Sequence, residues 1–250
     1  MDRSLSIVVA AARNNGIGAA SRLPWRLPAE MAYFVKITSE APAGKMNALV
    51  MGRKSWESIP PKFRPLKNRL NVVISSNKDY DLGPNAGPTI LASSLPDALA
   101  CLSLSPSTPS PDETPPTFPT LHRTFIIGGA TIYTEALHTL TSSPLSGFTL
   151  DRILITRISE PAFDECDVFF PEFRPPERDQ LTPADIVSSS ELASEAAKAD
   201  NASPFGVWRR VTHDELTHWA GFDVPKDTNE EKGVKYEFQM WERVSKSSPS

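Results

Sequence analysis

The sequence predicts an α/β fold: a single domain with a central, mostly parallel eight-stranded sheet, an antiparallel C-terminal edge and about four flanking helices. Uninterrupted runs of aliphatic residues recur along the 250-residue chain, as expected for strands that are covered on both faces. Short amphipathic segments separate the earlier runs, which is the arrangement of parallel βαβ units. No obvious helix separates the last runs, and this predicts the antiparallel edge.

The individual elements follow from this pattern. The predicted strands are residues 5–12, 48–51, 70–75, 89–91, 124–127, 152–158, 207–212 and 235–243. The predicted helices are residues 28–38, 53–58, 95–103 and 131–140. Two further stretches, 103–120 and 175–203, contain proline and many serines, which disfavour regular elements. We therefore expect one domain over residues 1–250 with two loop insertions and a frayed tail at 245–250.

Composition narrows the class of protein. The formal net charge is −4 and no basic block is present, which argues against nucleic acid or an anionic membrane as the main partner. The first apolar run is too short to span a bilayer. The two cysteines do not suggest a disulfide framework, and they show no metal-ligand spacing with the four histidines. We expect a protein of a reducing compartment, the cytoplasm, without a metal.

Three predicted strands end in groups that can bind phosphate. Gly128-Gly129 stands between a strand and a helix, where free backbone amides and the helix dipole favour an anion. Gly52 is followed by Arg53, Lys54 and Ser55 in a first helical turn, and Ser75 and Ser76 end a third strand. Each feature alone also fits an ordinary loop or surface charge, and the glycine spacing of a P-loop is absent. Their recurrence at three strand ends favours a phosphate-binding edge.

Glu30 is the acidic residue of most interest. It shares a predicted helix face with Leu27, Met31, Phe34 and Thr38, and a carboxylate among apolar neighbours is costly unless it is paired. It could be an exposed residue at the helix margin or the partner of a nearby cation. It could also point into a slot and hold the planar, amidine-like edge of a ligand through two hydrogen bonds. Trp25, just before this helix, could fill the core or order a water beside such a ligand.

The sequence resembles dihydrofolate reductase over nearly the whole chain. It is more similar to eukaryotic members, in particular fungal ones with loop insertions, than to bacterial ones. Motifs in this order and spacing are jointly specific. They are Gly16-Ile17-Gly18, Leu23-Pro24-Trp25, Glu30 with Phe34, residues 51–56, Ile59-Pro60, residues 64–69, 127–133, 155–158 and 230–238.

The resemblance implies reduction of 7,8-dihydrofolate to tetrahydrofolate by hydride transfer from NADPH, in support of one-carbon metabolism. Glu30 would bind the pterin amidine edge, with Thr156 hydrogen-bonded behind it, and Trp25 would hold a water. Arg69 would pair with the glutamate α-carboxylate, a bidentate contact that suits a guanidinium. The other implied substrate contacts are Ile7, Val8, Val9, Met31, Phe34, Ile59, Leu66, Ile127 and Tyr133. Antifolate-type inhibitors would bind the same slot, and a monomer is expected.

The resemblance also implies a set of cofactor contacts. Ala10, Ile17, Gly128 and Gly129 would lie beside the nicotinamide, and the two glycines carry a cis peptide in this family. The implied contacts to phosphates and adenosine are Gly18, Gly52, Arg53, Lys54, Ser55, Ser75, Ser76, Ala130, Thr131 and Ile132. Family members often have a basic residue after the position of Ser75, where this chain has Ser76. Preference for NADPH would therefore rest largely on Arg53.

Two other functions are compatible with the same scaffold. A related reductase could act on a pyrimidine intermediate, although Arg69 and the pair of Glu30 and Phe34 speak against it. A non-enzymatic binding module is the other alternative, and the presence of all the matched ligand residues speaks against that.

Overall fold

A computed structural model describes residues 3–83, 87, 89–104, 120–141, 144–174 and 205–244. Most of both predicted insertions and the whole predicted tail lie outside these ranges. The helices are α1 (Pro28–Ser39), α2 (Arg53–Ser58), a 3₁₀ turn (Pro61–Phe63), α3 (Leu95–Ser103), α4 (Ala130–Leu140) and α5 (His213–Ala220). The strands are β1 (Arg3–Ala11), β2 (Gly16–Gly18), β3 (Met46–Gly52), β4 (Arg69–Ile74), β5 (Thr89–Ala92), β6 (Leu121–Ile126), β7 (Phe148–Glu160), β8 (Val168–Phe169), β9 (Trp208–Arg210), β10 (Asn229–Glu231) and β11 (Val234–Arg243).

The main sheet confirms the predicted α/β class. Its strands run in the order β10-β11-β7-β1-β6-β3-β4-β5, and β9 is an additional strand that pairs with β11. Pairing is parallel from β7 through β5 and antiparallel for β11 with β7, β9 and β10. The antiparallel C-terminal edge is therefore where the sequence predicted it.

The sheet is buried on both faces, as the uninterrupted apolar runs indicated. Along β1, Leu5, Ile7 and Val9 belong to the core that contains α3 and α4, whereas Val8 belongs to the core beneath α1. This alternation is the two-residue period of a strand whose successive side chains point to opposite faces. The two cores thus meet across a strand that carries no exposed face.

Some elements were missed by the sequence prediction. No obvious helix was recognised among the last strands in the sequence, but α5 separates β9 from β10. Its signals are local: Thr212 and Glu215 form a capping box, and Gly221 ends the helix in the left-handed region with φ 80°. The strands β2, β8 and β10 are two or three residues long, too short for a recognisable period.

Parallel pairing brings one end of each central strand to a common edge. Ala10 of β1 pairs with Thr156 of β7, and Gly52 ends β3 next to Ile74, which ends β4. The loop that follows β6 joins this edge, since the Gly52 amide donates to the Gly128 carbonyl at 2.8 Å. Open α/β sheets bind ligands at this carboxyl edge, which is therefore where a site is expected.

Candidate active site

The Glu30 side chain is buried at the start of α1, with only 7% of its surface exposed. Pro28 occupies the first turn of the helix, where its missing amide costs nothing. The Thr156 hydroxyl donates to Glu30 Oε1 at 3.2 Å. Within the described ranges no basic side chain forms an ion pair with this carboxyl. The alternatives of an exposed or cation-paired glutamate are therefore not what the structure shows.

Burial raises the pKa of Glu30 from 4.5 to about 7. The main cause is desolvation of the charged form. The Thr156 hydrogen bond acts in the opposite direction, and the negative charge of Glu231 raises the pKa further. A carboxyl with this pKa populates both protonation states at neutral pH. The ionised form can accept hydrogen bonds from a planar pair of donors, and the protonated form can donate its proton. A pKa shifted in this way is typical of functional carboxyls.

The buried face of α1 differs from the predicted one. Its buried residues are Glu30, Tyr33, Ile37 and Thr38, whereas Met31 is 44% exposed. The predicted face is thus rotated by about one position, and Glu30 lies at its centre rather than its margin. Accessible apolar side chains lie near this face: Met31 and Val35 of α1 are exposed, and Phe34, Ile59 and Leu66 are partly buried against the same core. An accessible apolar lining beside a buried carboxyl suits a flat heteroaromatic ligand.

Two buried polar atoms near this face have no hydrogen-bond partner among the described residues. They are Trp25 Nε1 and the Tyr33 hydroxyl. Trp25 packs edge-on against Phe163, with ring centroids 5.2 Å apart, and Tyr33 packs against Phe238 at 4.1 Å. Buried donors are usually satisfied, so these two offer further hydrogen bonds on the α1 side of the sheet.

Arg69, at the start of β4, is a buried cation. Its Nη1 donates to Thr38 Oγ1 at 2.8 Å, and its Nε donates to the Lys67 carbonyl at 2.9 Å. No carboxylate in the described part of the chain forms an ion pair with it. Burial accordingly lowers the pKa of Arg69 from its ordinary value to about 10. The remaining guanidinium N–H groups can bind a carboxylate, which would offset this desolvation.

The Gly128-Gly129 turn lies close to side chains of α2 and α4. Its peptide bond is cis, and Gly128 has φ 119°, a conformation that L side chains rarely adopt. A Cβ on Gly128 would lie 3.2 Å from Ser55 Oγ and 3.3 Å from the Tyr133 hydroxyl. The backbone conformation of Gly128 therefore favours glycine, and the limited space beside Ser55 and Tyr133 adds to this preference.

Two helix N-termini beside these glycines lack side-chain caps. Gly52 precedes α2 and Gly129 precedes α4, and neither first turn contains an acidic residue. By contrast, Ser94 caps α3 by accepting from the Asp97 amide. Uncapped amides on adjacent strand ends are suitable donors for a diphosphate. Exposed Lys54 lies at the start of α2, whereas Arg53 forms an exposed ion pair of 2.8 Å with Glu57.

Other predicted residues occupy different positions relative to the sheet. The side chains of Ile7, Val9, Ile132 and Tyr133 lie in the core on the α4 side, so any ligand contact from Ile7 or Val9 on the Glu30 side would involve backbone. Tyr133 donates to the Val8 carbonyl at 2.8 Å. Directly after β4, Ser75 is buried and Ser76 is exposed. The side chains of Val8, Ala10 and Ile127 pack on the α1 side of the sheet. Ile17 and Gly18 lie in β2, with Ala130 and Thr131 in the first turn of α4.

The sequence prediction assigned no role to three residues that support these groups. Thr38 holds Arg69, Tyr33 lies next to Glu30, and Glu231 accepts from the Ala29 amide at 3.0 Å. Thr38 and Tyr33 had a usable signal, because they lie eight and three positions after Glu30 on one helix. Glu231 had none, because it is 202 positions away from Ala29 in sequence.

The chain was compared with known proteins. The sequence profile of the family described as dihydrofolate reductase matches residues 4–191. A dihydrofolate reductase of Cryptococcus neoformans is 40% identical over 95% of this chain and 94% of the relative. One from Pneumocystis carinii is 37% identical over 96% and 97%. A solved dihydrofolate reductase of Schistosoma mansoni superposes with a TM-score of 0.62 at 27% identity, covering 98% of this chain and all of that one.

Proposed function

Because the chain belongs to the dihydrofolate reductase family, we propose that it reduces 7,8-dihydrofolate to 5,6,7,8-tetrahydrofolate with NADPH as the hydride donor. The observation that carries the proposal is the buried Glu30 carboxyl, which is held by Thr156 and has its pKa raised to about 7. This carboxyl lies among accessible apolar side chains, which suit a flat pterin ring. The product supplies one-carbon units for thymidylate and purine synthesis.

The pterin would bind with its amidine edge on Glu30. Two N–H groups can donate to one carboxylate, as in other bidentate pairs. Met31, Phe34, Ile59 and Leu66 would line the slot for the pterin and aminobenzoyl rings, and Val8 and Ile127 would lie beneath them. Trp25 Nε1 would hold a water beside the reacting ring, since this buried donor has no partner in the described ranges.

Arg69 would bind the glutamate α-carboxylate of the substrate. Its guanidinium is already fixed by Thr38 and Lys67, so little conformational freedom is lost when the carboxylate binds. The carboxylate would replace some of the solvation that Arg69 loses by burial. The same two anchors, Glu30 and Arg69, would bind the two ends of antifolate-type inhibitors.

The edge formed by Gly52 and Gly128-Gly129 fits a dinucleotide. Uncapped amides of α2 and α4, with Lys54, Ser55 and Thr131, would bind the phosphates; Ser75 and Ser76 would lie at the adenosine end. Arg53 would bind the 2′-phosphate after exchanging its exposed Glu57 partner, a contact of low cost. NADPH supplies the hydride, and the glycines allow its nicotinamide to approach the backbone beside Ala10 and Ile17.

The protein contributes orientation, water exclusion and proton control. Stacking two flat rings in a fixed geometry removes much of the entropic cost of the reaction. Glu30 would orient the pterin and stabilise its protonated form electrostatically, and water would deliver the proton to the imine nitrogen. The monomeric state and the cytoplasmic location stay predictions. Within the described residues, no helix is long and apolar enough to cross a membrane.

The proposal is tested by following NADPH oxidation with dihydrofolate in Glu30→Gln. The amide keeps the size and the Thr156 contact but cannot carry the charge, so we expect turnover to fall roughly 100-fold or more. NADPH affinity should stay unchanged, because the phosphate-binding groups lie on other strands. Wild-type turnover in Glu30→Gln would refute the role of the carboxyl.

A second test separates the ends of the substrate. Arg69→Leu should weaken dihydrofolate binding by about 30-fold, the value of a charged hydrogen-bonded pair, and leave NADPH binding intact. A pterin substrate that lacks the glutamate serves as the control, because its affinity should be the same for both proteins. Equal losses for dihydrofolate and for NADPH would contradict the carboxylate contact.

A further inference from the structure

The first turn of α1 lacks a cap from its own sequence. Leu27 occupies the N-cap position, and an apolar side chain cannot accept from the free amides of the helix. The cap comes from elsewhere: Glu231 Oε2 accepts from the Ala29 amide at 3.0 Å, across 202 positions. Ala29 is the residue immediately before Glu30. The turn that presents the buried carboxyl is therefore held by a carboxylate from the C-terminal part of the chain.

A short hairpin fixes Glu231 in this place. Glu231 ends β10 and pairs with Val234 across a two-residue turn, Lys232-Gly233, in which both residues have positive φ. Such a turn sets the register of its strands. The partner strand β11 continues along β7, where Phe238 lies opposite Thr156. The two contacts to the first turn of α1, from Thr156 and from Glu231, are therefore linked through one stretch of antiparallel sheet.

We propose that Glu231 is a positioning residue for Glu30, acting through the first turn of α1 and through its own negative charge. The proposal rests on the function proposed above. Loss of the cap would let the first turn fray and displace the Glu30 carboxyl from Thr156. Loss of the charge alone would leave the geometry intact but make ionisation of Glu30 easier. The two effects can be separated by substitution.

The ionisable groups around Glu30 leave Glu231 as the main charge. Tyr33 from α1 and Tyr236 from β11 also interact with Glu30, but burial raises the pKa of both phenols, so neither is charged near pH 7. β7 contributes Thr156, which does not titrate. The negative charge of Glu231 raises the pKa of Glu30. Glu231 also lies at the N-terminus of α1, the positive end of the helix dipole, where a carboxylate is stabilised.

The test compares Glu231→Gln with Glu231→Ala in the full chain. The glutamine keeps an oxygen acceptor for Ala29 and removes the charge, whereas alanine removes both. Glu230→Gln is the matched control, because it changes the net charge equally from an exposed neighbouring position. Two quantities are measured: the titration midpoint of Glu30 in the unliganded protein, by carbon NMR of labelled glutamate assigned with Glu30→Gln, and the pH profile of turnover.

We expect the Glu30 midpoint to fall by about half a pH unit in Glu231→Gln, as for one nearby charge at high effective dielectric. Plateau turnover should fall several-fold in Glu231→Ala and be restored in Glu231→Gln. Glu230→Gln should match the wild type in both. If Glu231→Ala does not fold, the midpoint in Glu231→Gln decides alone.

Three results would overturn the proposal: an unmoved midpoint in Glu231→Gln, an equal shift in Glu230→Gln, or a folded Glu231→Ala with wild-type turnover. The NMR titration needs no turnover. A wild-type protein that does not oxidise NADPH with dihydrofolate would therefore refute the proposed function separately from the effect of Glu231 on Glu30.

Discussion

Replacement of Glu30 by glutamine should stabilise the unliganded protein at alkaline pH although it lowers turnover. The wild-type carboxyl is buried, with a folded-state pKa of about 7 against an ordinary value of 4.5. The folded protein therefore binds this proton more tightly than the unfolded chain does. Its contribution to stability is complete below about pH 4.5, is lost as the pH rises, and changes little above the folded-state pKa.

The size of the effect follows from the same two values. One unit of difference between the folded-state and unfolded-state pKa corresponds to about 1.4 kcal/mol. Complete ionisation of Glu30 therefore lowers the unfolding free energy of the wild type by roughly 3 kcal/mol. Between pH 5 and pH 8 most of this is lost, roughly 2–3 kcal/mol. Glutamine cannot ionise and keeps an acceptor for Thr156, so the variant should not show this loss.

Urea unfolding of both proteins at pH 5 and pH 8 measures the effect. The change in unfolding free energy between the two pH values is compared for wild type and Glu30→Gln, since this double difference cancels all other titrating groups. We expect the wild type to lose about 2–3 kcal/mol more than the variant. A double difference near zero would show that Glu30 is not desolvated in the folded protein, and the reasoning from burial would be wrong.

Three further outcomes follow from contacts at the site. Thr38→Val, which keeps the shape but removes the acceptor for Arg69, should weaken dihydrofolate binding about 10-fold in a fluorescence titration, and Thr38→Ser should restore it; an equal effect on NADPH would contradict this. Arg53→Gln should raise the KM for NADPH about 5-fold and leave that for NADH unchanged, since only NADPH has the 2′-phosphate; parallel changes would exclude the assigned contact. Gly128→Ala should cost about 2 kcal/mol or more in denaturant unfolding, against about 1 kcal/mol for Gly147→Ala, which has positive φ but open space; equal costs would mean that Ser55 and Tyr133 do not restrict the turn.

Elements with strong local patterns could be predicted from the sequence. The central strands are continuous apolar runs, and this pattern is sufficient for a parallel sheet buried on both faces. The helix α5 was missed because the eight residues His213–Ala220 have only two buried members, Leu216 and Ala220, so its apolar period is weak. Its capping box and terminal glycine were the better signal. The strand β10 is specified by its turn, Lys232-Gly233, rather than by its own three residues.

The candidate site divides in the same way. Gly52, Gly128-Gly129 and Glu30 stand next to strand ends or helix starts, so their neighbourhood could be inferred from local order. The burial of Glu30 could not, because the buried face of α1 depends on tertiary packing, such as that of Tyr33 against Phe238, rather than on helix periodicity alone. The contact between Glu231 and Ala29 depends on hairpin register and on the position of the whole helix. No property of a single segment specifies it.

The turn that carries Glu30 also has a consequence for biosynthesis. Two long-range hydrogen bonds hold this turn. Glu30 accepts from Thr156, 126 positions later in the chain, and the Ala29 amide donates to Glu231, 202 positions later. A ribosome therefore releases most of the sheet before the last strand pair can add its carboxylate. Because long-range contacts form late, the first turn of α1 cannot acquire its cap from Glu231 until residues 229–243 have left the exit tunnel.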